Sequence, residues 1–184
     1  PISLHLVTGR KVPKTKDTKA AQTMPSEQDA PRVLSKGFSR AYMTALHEIQ
    51  CTFIDIILGG VLERFPKLKI VVAHGGGYVA HYPARMDHVW TARVDARAVL
   101  KKKPRQSLAK LYFDTIVFDR EQLRHLVNLW GAGHIVAGTD YPYDMGWYDP
   151  RGFVDGCAFL KDGDKARILG LNAAKLLKLK RPRG

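Results

Sequence analysis

The sequence predicts an α/β fold built on a parallel sheet. Two observations carry this. Short apolar runs bounded by glycine, proline or charge recur along the chain, and segments long enough for helices alternate with them. Several of the runs also end in histidine or aspartate, and parallel α/β folds assemble their sites from residues at the C-terminal tips of strands. The order reads β-loop-α, β-α, β-α, β-loop-α across one domain, residues 1–184, with right-handed crossovers expected.

The first strand is expected over residues 2–7, where Ile2, Leu4, Leu6 and Val7 supply the apolar character and His5 lies near the end. The chain opens on this strand without a methionine, so further sequence upstream is expected. Residues 8–36 are rich in Lys, Thr, Pro and Ser and read as a long basic loop. Residues 38–65 read as helical, bent at Gly59-Gly60 and closed before Pro66. A second strand is expected near 69–74, where Ile70, Val71, Val72 and Ala73 form a continuous apolar run of the kind buried on both faces. Gly75–Gly77 then allow positive φ and close approach by a ligand or another chain segment. Residues 78–100 read as helical, with Pro83 a start or a kink. Residues 101–107 read as a basic turn.

The third strand is expected near 111–115, followed by a helix over 120–130 that Gly131 and Gly133 stop. The fourth is expected near 134–140. A short helix over 164–169 follows, and Asn172 is expected to cap the last helix, 173–179. A basic tail, 178–184, closes the chain.

The 184 residues suffice for one domain with a sizeable core. With 45% hydrophobic and 26% charged residues, the composition is that of an ordinary globular protein, and no apolar run is long enough to span a membrane. The net charge of +13 gathers in residues 10–19, 101–105 and 175–183. No aromatic residues interleave with these runs as stacking platforms for nucleic acid would require, so they read as a solvated rim, with no nucleic-acid or membrane partner. Cys51 and Cys157 sit among apolar residues and are expected to be buried free thiols in a cytoplasmic protein.

The four strand tips carry His5, His74, Asp114-Thr115 and Asp140. Imidazole and carboxylate are ligands for zinc and related divalent ions, and they transfer protons near neutral pH. For His5 alone, structural and functional readings stand level. Asp140 favours a functional reading, because a carboxylate beside an apolar strand is costly to leave unpaired. Asp114 favours a structural hydrogen bond.

AHGGG at 73–77, Arg85, GTDYPYDMGW at 138–147 and ILGLNAAKLL at 168–177 resemble the amidohydrolase-related group of the amidohydrolase superfamily. Within it they are similar to the decarboxylase branch that includes aminocarboxymuconate-semialdehyde decarboxylase and the resorcylate decarboxylases. The resemblance implies a metal-dependent (β/α)8 TIM barrel, of which this chain supplies the C-terminal half, about four βα units. It places His5, His74, Asp114 and Asp140 on strands five to eight. It implies His5 and Asp140 as metal ligands, with zinc the expected ion. His74 is implied as acid/base and Asp140 as a second catalytic residue that helps orient water. Arg85, eleven residues after His74, is implied to bind the substrate carboxylate, in some members from a neighbouring subunit. The family's His-x-His pair occurs nowhere in this chain.

The resemblance implies decarboxylation of a small carboxylated substrate by the full-length protein. Hydrolysis of an amide or lactone uses the same groups and stays open. So does a non-catalytic half-barrel acting as an interaction module. Because a closed barrel pairs edge strands that half a barrel exposes, a homo-oligomer, a dimer, is expected.

Overall fold

Four short strands lie side by side in sequence order, all parallel. The computed structural model describes residues 2–3, 50–143 and 145–179. Strand β1 is Ile2–Ser3, β2 Ile70–Val72, β3 Tyr112–Asp114 and β4 Ile135–Val136. Ile2 pairs with Ile70, Val72 with Phe113, and Phe113 with Ile135. Among the described residues the order does not reverse, so these strands show no switch point of a doubly wound fold. The expected strand residues 4–7, His5 among them, the basic loop 8–36 and residues 180–184 lie outside the described residues.

Side chains alternate across this sheet. Ile70, Val72, Phe113 and Ile135 share the packed face and are almost fully buried. Val71, Tyr112 and Asp114 share the other face and are half-buried. The sequence reading of β2 as buried on both faces therefore holds for one face. Strand β4 is also shorter than its apolar run. The Ala137 amide donates to the Ile168 carbonyl at 2.9 Å, which draws the chain out of the ladder after Val136.

Helices cover the packed face. Residues 50–58 are helical (α1), and Phe53 and Ile57, one turn apart, are buried. After the expected break at Gly59-Gly60, α2 is Val61–Arg64. Beyond β2 come α3, Gly77–His81, and α4, Pro83–Ala92, with Pro83 starting the second helix. Residues 104–107, expected as part of a turn, belong instead to α5, Pro104–Leu108. Pro104 occupies its first turn, where the missing N–H costs nothing, and Leu108 is buried.

Helix α6, Arg120–Trp130, opens with Asp119 accepting a hydrogen bond from the Gln122 amide and ends at Gly131, φ 80°. Its Leu123, Leu126 and Trp130 fall on one face and are buried. Each of the two leucines contributes about 1.5–3 kcal/mol by leaving water. The Trp130 indole donates to the Ala80 carbonyl at 3.0 Å, which fixes α6 against α3. Helix α7 is Pro150–Asp155, α8 Asp162–Ala166 and α9 Asn172–Leu176, with a π-helical turn, Arg167–Leu171, between the last two.

The π turn corrects the expected role of Asn172. Its side chain does not cap α9. It is buried and donates to the carbonyls of Ala132 and Ile135, both at 2.7 Å. Cys51 is a second correction: it is exposed on α1, whereas Cys157 is buried as expected. Burial pushes the Cys157 thiol up, so it stays protonated and inert. Among the described residues, no helix is long and apolar enough to cross a membrane.

Candidate active site

At the end of β2 the backbone turns through an unusual run. Ala73 is extended, and the four residues after it all have positive φ: His74 56°, Gly75 58°, Gly76 77° and Gly77 52°. The three glycines accept this at little cost, while His74 does so against the preference of its Cβ. The expectation that the glycines leave room for a ligand needs refinement. A Cβ on Gly75 would collide with Val117 Cγ1. One on Gly76 would lie 2.7 Å from both the Ala80 Cβ and the Phe113 ring. These two glycines admit other parts of the chain, and only Gly77 faces open space.

Beyond β4, the Gly138 amide donates to Thr115 Oγ1 at 3.2 Å. Asp140 then takes a left-handed conformation, φ 57°, and its side chain is only 7% exposed. Two backbone hydrogen bonds hold the loop that follows, from the Tyr143 amide to the Asp140 carbonyl and from the Trp147 amide to the Thr139 carbonyl, each 2.9 Å. This geometry sets Asp140 Oδ1 4.0 Å from His74 Nε2. That is too long for a direct hydrogen bond. It is close enough for a charge–charge interaction between the carboxylate and a protonated imidazole.

Asp114, at the tip of the strand between them, is committed to the backbone. Its Oδ2 accepts from the His74 amide at 3.1 Å, and its Oδ1 accepts from the Gly75 amide at 2.8 Å and the Ile116 amide at 3.0 Å. Burial holds its carboxyl above the usual carboxylate range, and those three N–H groups and the neighbouring His74 offset only part of that. The structural reading of Asp114 fits these contacts.

Arg85 is exposed on the first turn of α4. It lines an apolar groove with Ile54, Tyr78, Tyr82, Met86 and Val89. His5 lies outside the described residues. Among the described residues no three side chains form a metal-ligating cluster. Of the two expected ligands only Asp140 lies among the described residues; its carboxylate is a donor type that divalent cations take, and alone it does not complete a site.

Sequence reasoning missed an aromatic rim beside this pair. Phe118, in the loop after β3 and itself left-handed at φ 58°, lies 6.2 Å between ring centroids from Trp147, in the loop after β4. Trp147 packs at 5.5 Å on Phe153. Tyr141, Tyr143 and Tyr148 are exposed on the same loop, and the Tyr148 hydroxyl donates to the Tyr143 carbonyl at 2.7 Å. The density of aromatic residues in 141–148 was the available signal.

The amidohydrolase family model matches residues 23–179. The chain belongs to the amidohydrolase family. It is 38% identical over 126 residues to 2-amino-3-carboxymuconate-6-semialdehyde decarboxylase of Dictyostelium discoideum, covering 68% of this chain and 35% of that protein. The chain thus spans about a third of that relative's length. Among solved structures it resembles 5-carboxyvanillate decarboxylase of Sphingomonas paucimobilis, with a TM-score of 0.61 and 26% identity over 68% of this chain and 38% of the other. A dihydroxybenzoic acid decarboxylase of Polaromonas sp. JS666, solved with manganese and 2-nitroresorcinol bound, gives a TM-score of 0.65 over 86% of this chain and 48% of the other. At 20% identity that second likeness speaks to fold alone. The family and its solved relatives imply a TIM-barrel fold, and the described residues of the chain form a parallel sheet of four strands.

Proposed function

We propose that this amidohydrolase chain is the C-terminal half of a metal-dependent (β/α)8 barrel, and that the whole protein decarboxylates a small carboxylated substrate. The approach of His74 to Asp140 from two separate strand tips supports the reading most directly. Two independent strands deliver a proton-transfer group and a carboxylate to one point, as a barrel rim does.

Asp140, with His5 as its partner, would hold the ion, which we take to be zinc from its imidazole and carboxylate donors. When bound, the ion supplies Lewis-acid polarisation of a substrate oxygen. Arg85 anchors a carboxylate through its planar fork of donors. His74, as imidazolium, delivers a proton to the carbon bearing the departing carboxylate. The C–C bond breaks, its electron pair is taken up by the new C–H bond, and carbon dioxide leaves. Asp140 stabilises the imidazolium across 4.0 Å. Taken alone, a half-barrel leaves its first and last strands as open edges, so we further propose that the 184-residue chain by itself associates as a homodimer.

The test uses the full reading frame loaded with zinc or manganese, and substrates labelled with ¹³C in the carboxyl group. Labelled carbon dioxide should appear, and His74→Asn should lower kcat by about 10²–10⁴-fold, the range for loss of a general acid. Hydrolysis products without carbon dioxide would replace decarboxylation by hydrolysis. No turnover by the metal-loaded protein would favour an interaction module.

A further inference from the structure

Strand β3 contributes no group to the reaction proposed above, yet its tip touches both of the tips that do. Asp114 holds the amides of His74 and Gly75, and Thr115 Oγ1 accepts from the amide of Gly138, two residues before Asp140. We propose that Asp114 is a positioning residue, and that with Thr115 it forms a crossbar that sets the His74 imidazole against the Asp140 carboxylate.

The argument starts from the backbone of His74. A residue with a Cβ does not choose φ 56° unless its surroundings hold it there. Here the holding group is identifiable. In the left-handed run, the successive N–H groups of His74 and Gly75 converge on one side, as in the concave backbone arrangements that bind anions. The Asp114 carboxylate fills that concavity with both oxygens. Returning His74 to an extended conformation would turn these amides away from their acceptor. The carboxylate and the left-handed turn therefore stand or fall together, and the direction of the imidazole follows from the turn.

The other side of the crossbar depends on close packing. A Cβ on Gly138 would lie 3.1 Å from the Asp114 Cβ and 3.5 Å from its carboxylate, tighter than ordinary contact at the first atom. Glycine at 138 lets the chain leading to Asp140 lie directly against Asp114. Both oxygens act as acceptors, taking three N–H donors between them, and low exposure strengthens each contact. A carboxylate serves here better than any neutral side chain. Asparagine keeps one acceptor oxygen and turns an NH₂ group towards an N–H donor, so at least one of the three contacts is lost.

The kinetic arm of the test rests on the decarboxylase reading, and the spectroscopic arm does not. In the ¹⁵N-labelled 184-residue chain, Asp114→Asn should speed amide hydrogen exchange at His74 or Gly75 at least tenfold. It should also shift the His74 imidazole Hε1 resonance, while exchange at Leu126 and Ile135 stays unchanged. In the full-length protein the same substitution should lower kcat about 10- to 100-fold with KM held within about threefold. Unchanged exchange at both amides together with an unmoved Hε1 resonance would overturn the proposal, as would a rise in KM with kcat intact. If Asp114→Asn also loses protection at Leu126 and Ile135, Thr115→Val decides. It keeps the carboxylate and removes only the acceptor for Gly138. Faster exchange at Gly138 with a shifted His74 Hε1 upholds the crossbar, and no change at either overturns it. A parent protein without turnover would refute the decarboxylase reading and leave the exchange measurements to judge the positioning.

Discussion

The side-chain amide of Asn172 donates to the Ile135 carbonyl at 2.7 Å, and so ties the start of the last helix to the strand that leads to Asp140. The same nitrogen donates to Ala132 at 2.7 Å. Replacing Asn172 by leucine would keep the volume and remove this donor from both carbonyls, of which Ala132 keeps the Ile135 amide. An acceptor left unsatisfied in a buried position costs about 1–3 kcal/mol. Asn172→Leu should therefore destabilise the chain by about 1–3 kcal/mol, read as a lower urea midpoint. A midpoint unchanged within error would show that water replaces the amide.

The glycine run separates two physical causes. Gly76 needs both its positive φ and its missing Cβ, because Ala80 and Phe113 occupy the space. Gly77 needs only its backbone conformation, φ 52° and ψ −148°, since no atom lies within 4 Å of its Cβ position. Overpacking adds about 1–3 kcal/mol to the conformational cost. Gly76→Ala adds that overpacking to an αL backbone, while Gly77→Ala carries the backbone cost of a region entered almost only by glycine, so each should lose about 1–3 kcal/mol. Gly133→Ala, with neither constraint, should stay within about 0.5 kcal/mol of the parent. Thermal melts of the three variants would rank them.

The rings of His81, on α3, and His125, on α6, stack at 5.4 Å. Burial, then the charge of His125, holds the His81 imidazole below its usual value of 6.5. The unfolded chain then binds more protons than the folded one as pH falls below 6.5, so this pair's contribution is present above 6.5 and is lost on acidification. His81→Gln should flatten the fall in urea midpoint between about pH 7.5 and pH 5. An equally steep fall in the variant would assign the pH dependence to other groups.

Arg85→Ala tests the proposed substrate anchor. Losing one partner of a desolvated charge pair costs about 2–5 kcal/mol. A carboxylated ligand should weaken accordingly, and a neutral analogue of the same shape should not. If Arg85 only solvates its helix, both ligands should change by less than about 0.5 kcal/mol. Binding of the matched pair to the full-length protein, followed by calorimetry, gives the answer.

The parts legible in the sequence were those set by local pattern. The apolar run at Ile70–Ala73, the aspartate closing β3, the bend at Gly59-Gly60 and the new start at Pro83 all follow from composition or backbone chemistry alone. What stayed hidden depended on distant partners. β4 ends early because Ala137 finds the Ile168 carbonyl, and Asn172 leaves its expected cap because the π turn aims it at β4. Residues 104–107 are helical where a turn is expected, because the run of lysines before them hides a good helix start at Pro104. For the site, residue types at strand ends singled out His74 and Asp140, whereas their 4.0 Å separation depends on the turns after β2 and β4. The aromatic rim joins residues from two loops, and no single stretch of sequence displays that meeting.

The left-handed backbone at His74 and Asp140 has a consequence for selection. Glycine accepts that conformation freely, and asparagine accepts it more readily than most residues. Selection for thermal tolerance alone would therefore favour glycine or asparagine at position 74, and the same substitutions would remove the proposed acid. Engineering that rewards only folding will erode this corner first. A stabilised library of this chain should be enriched for such replacements unless activity is screened alongside.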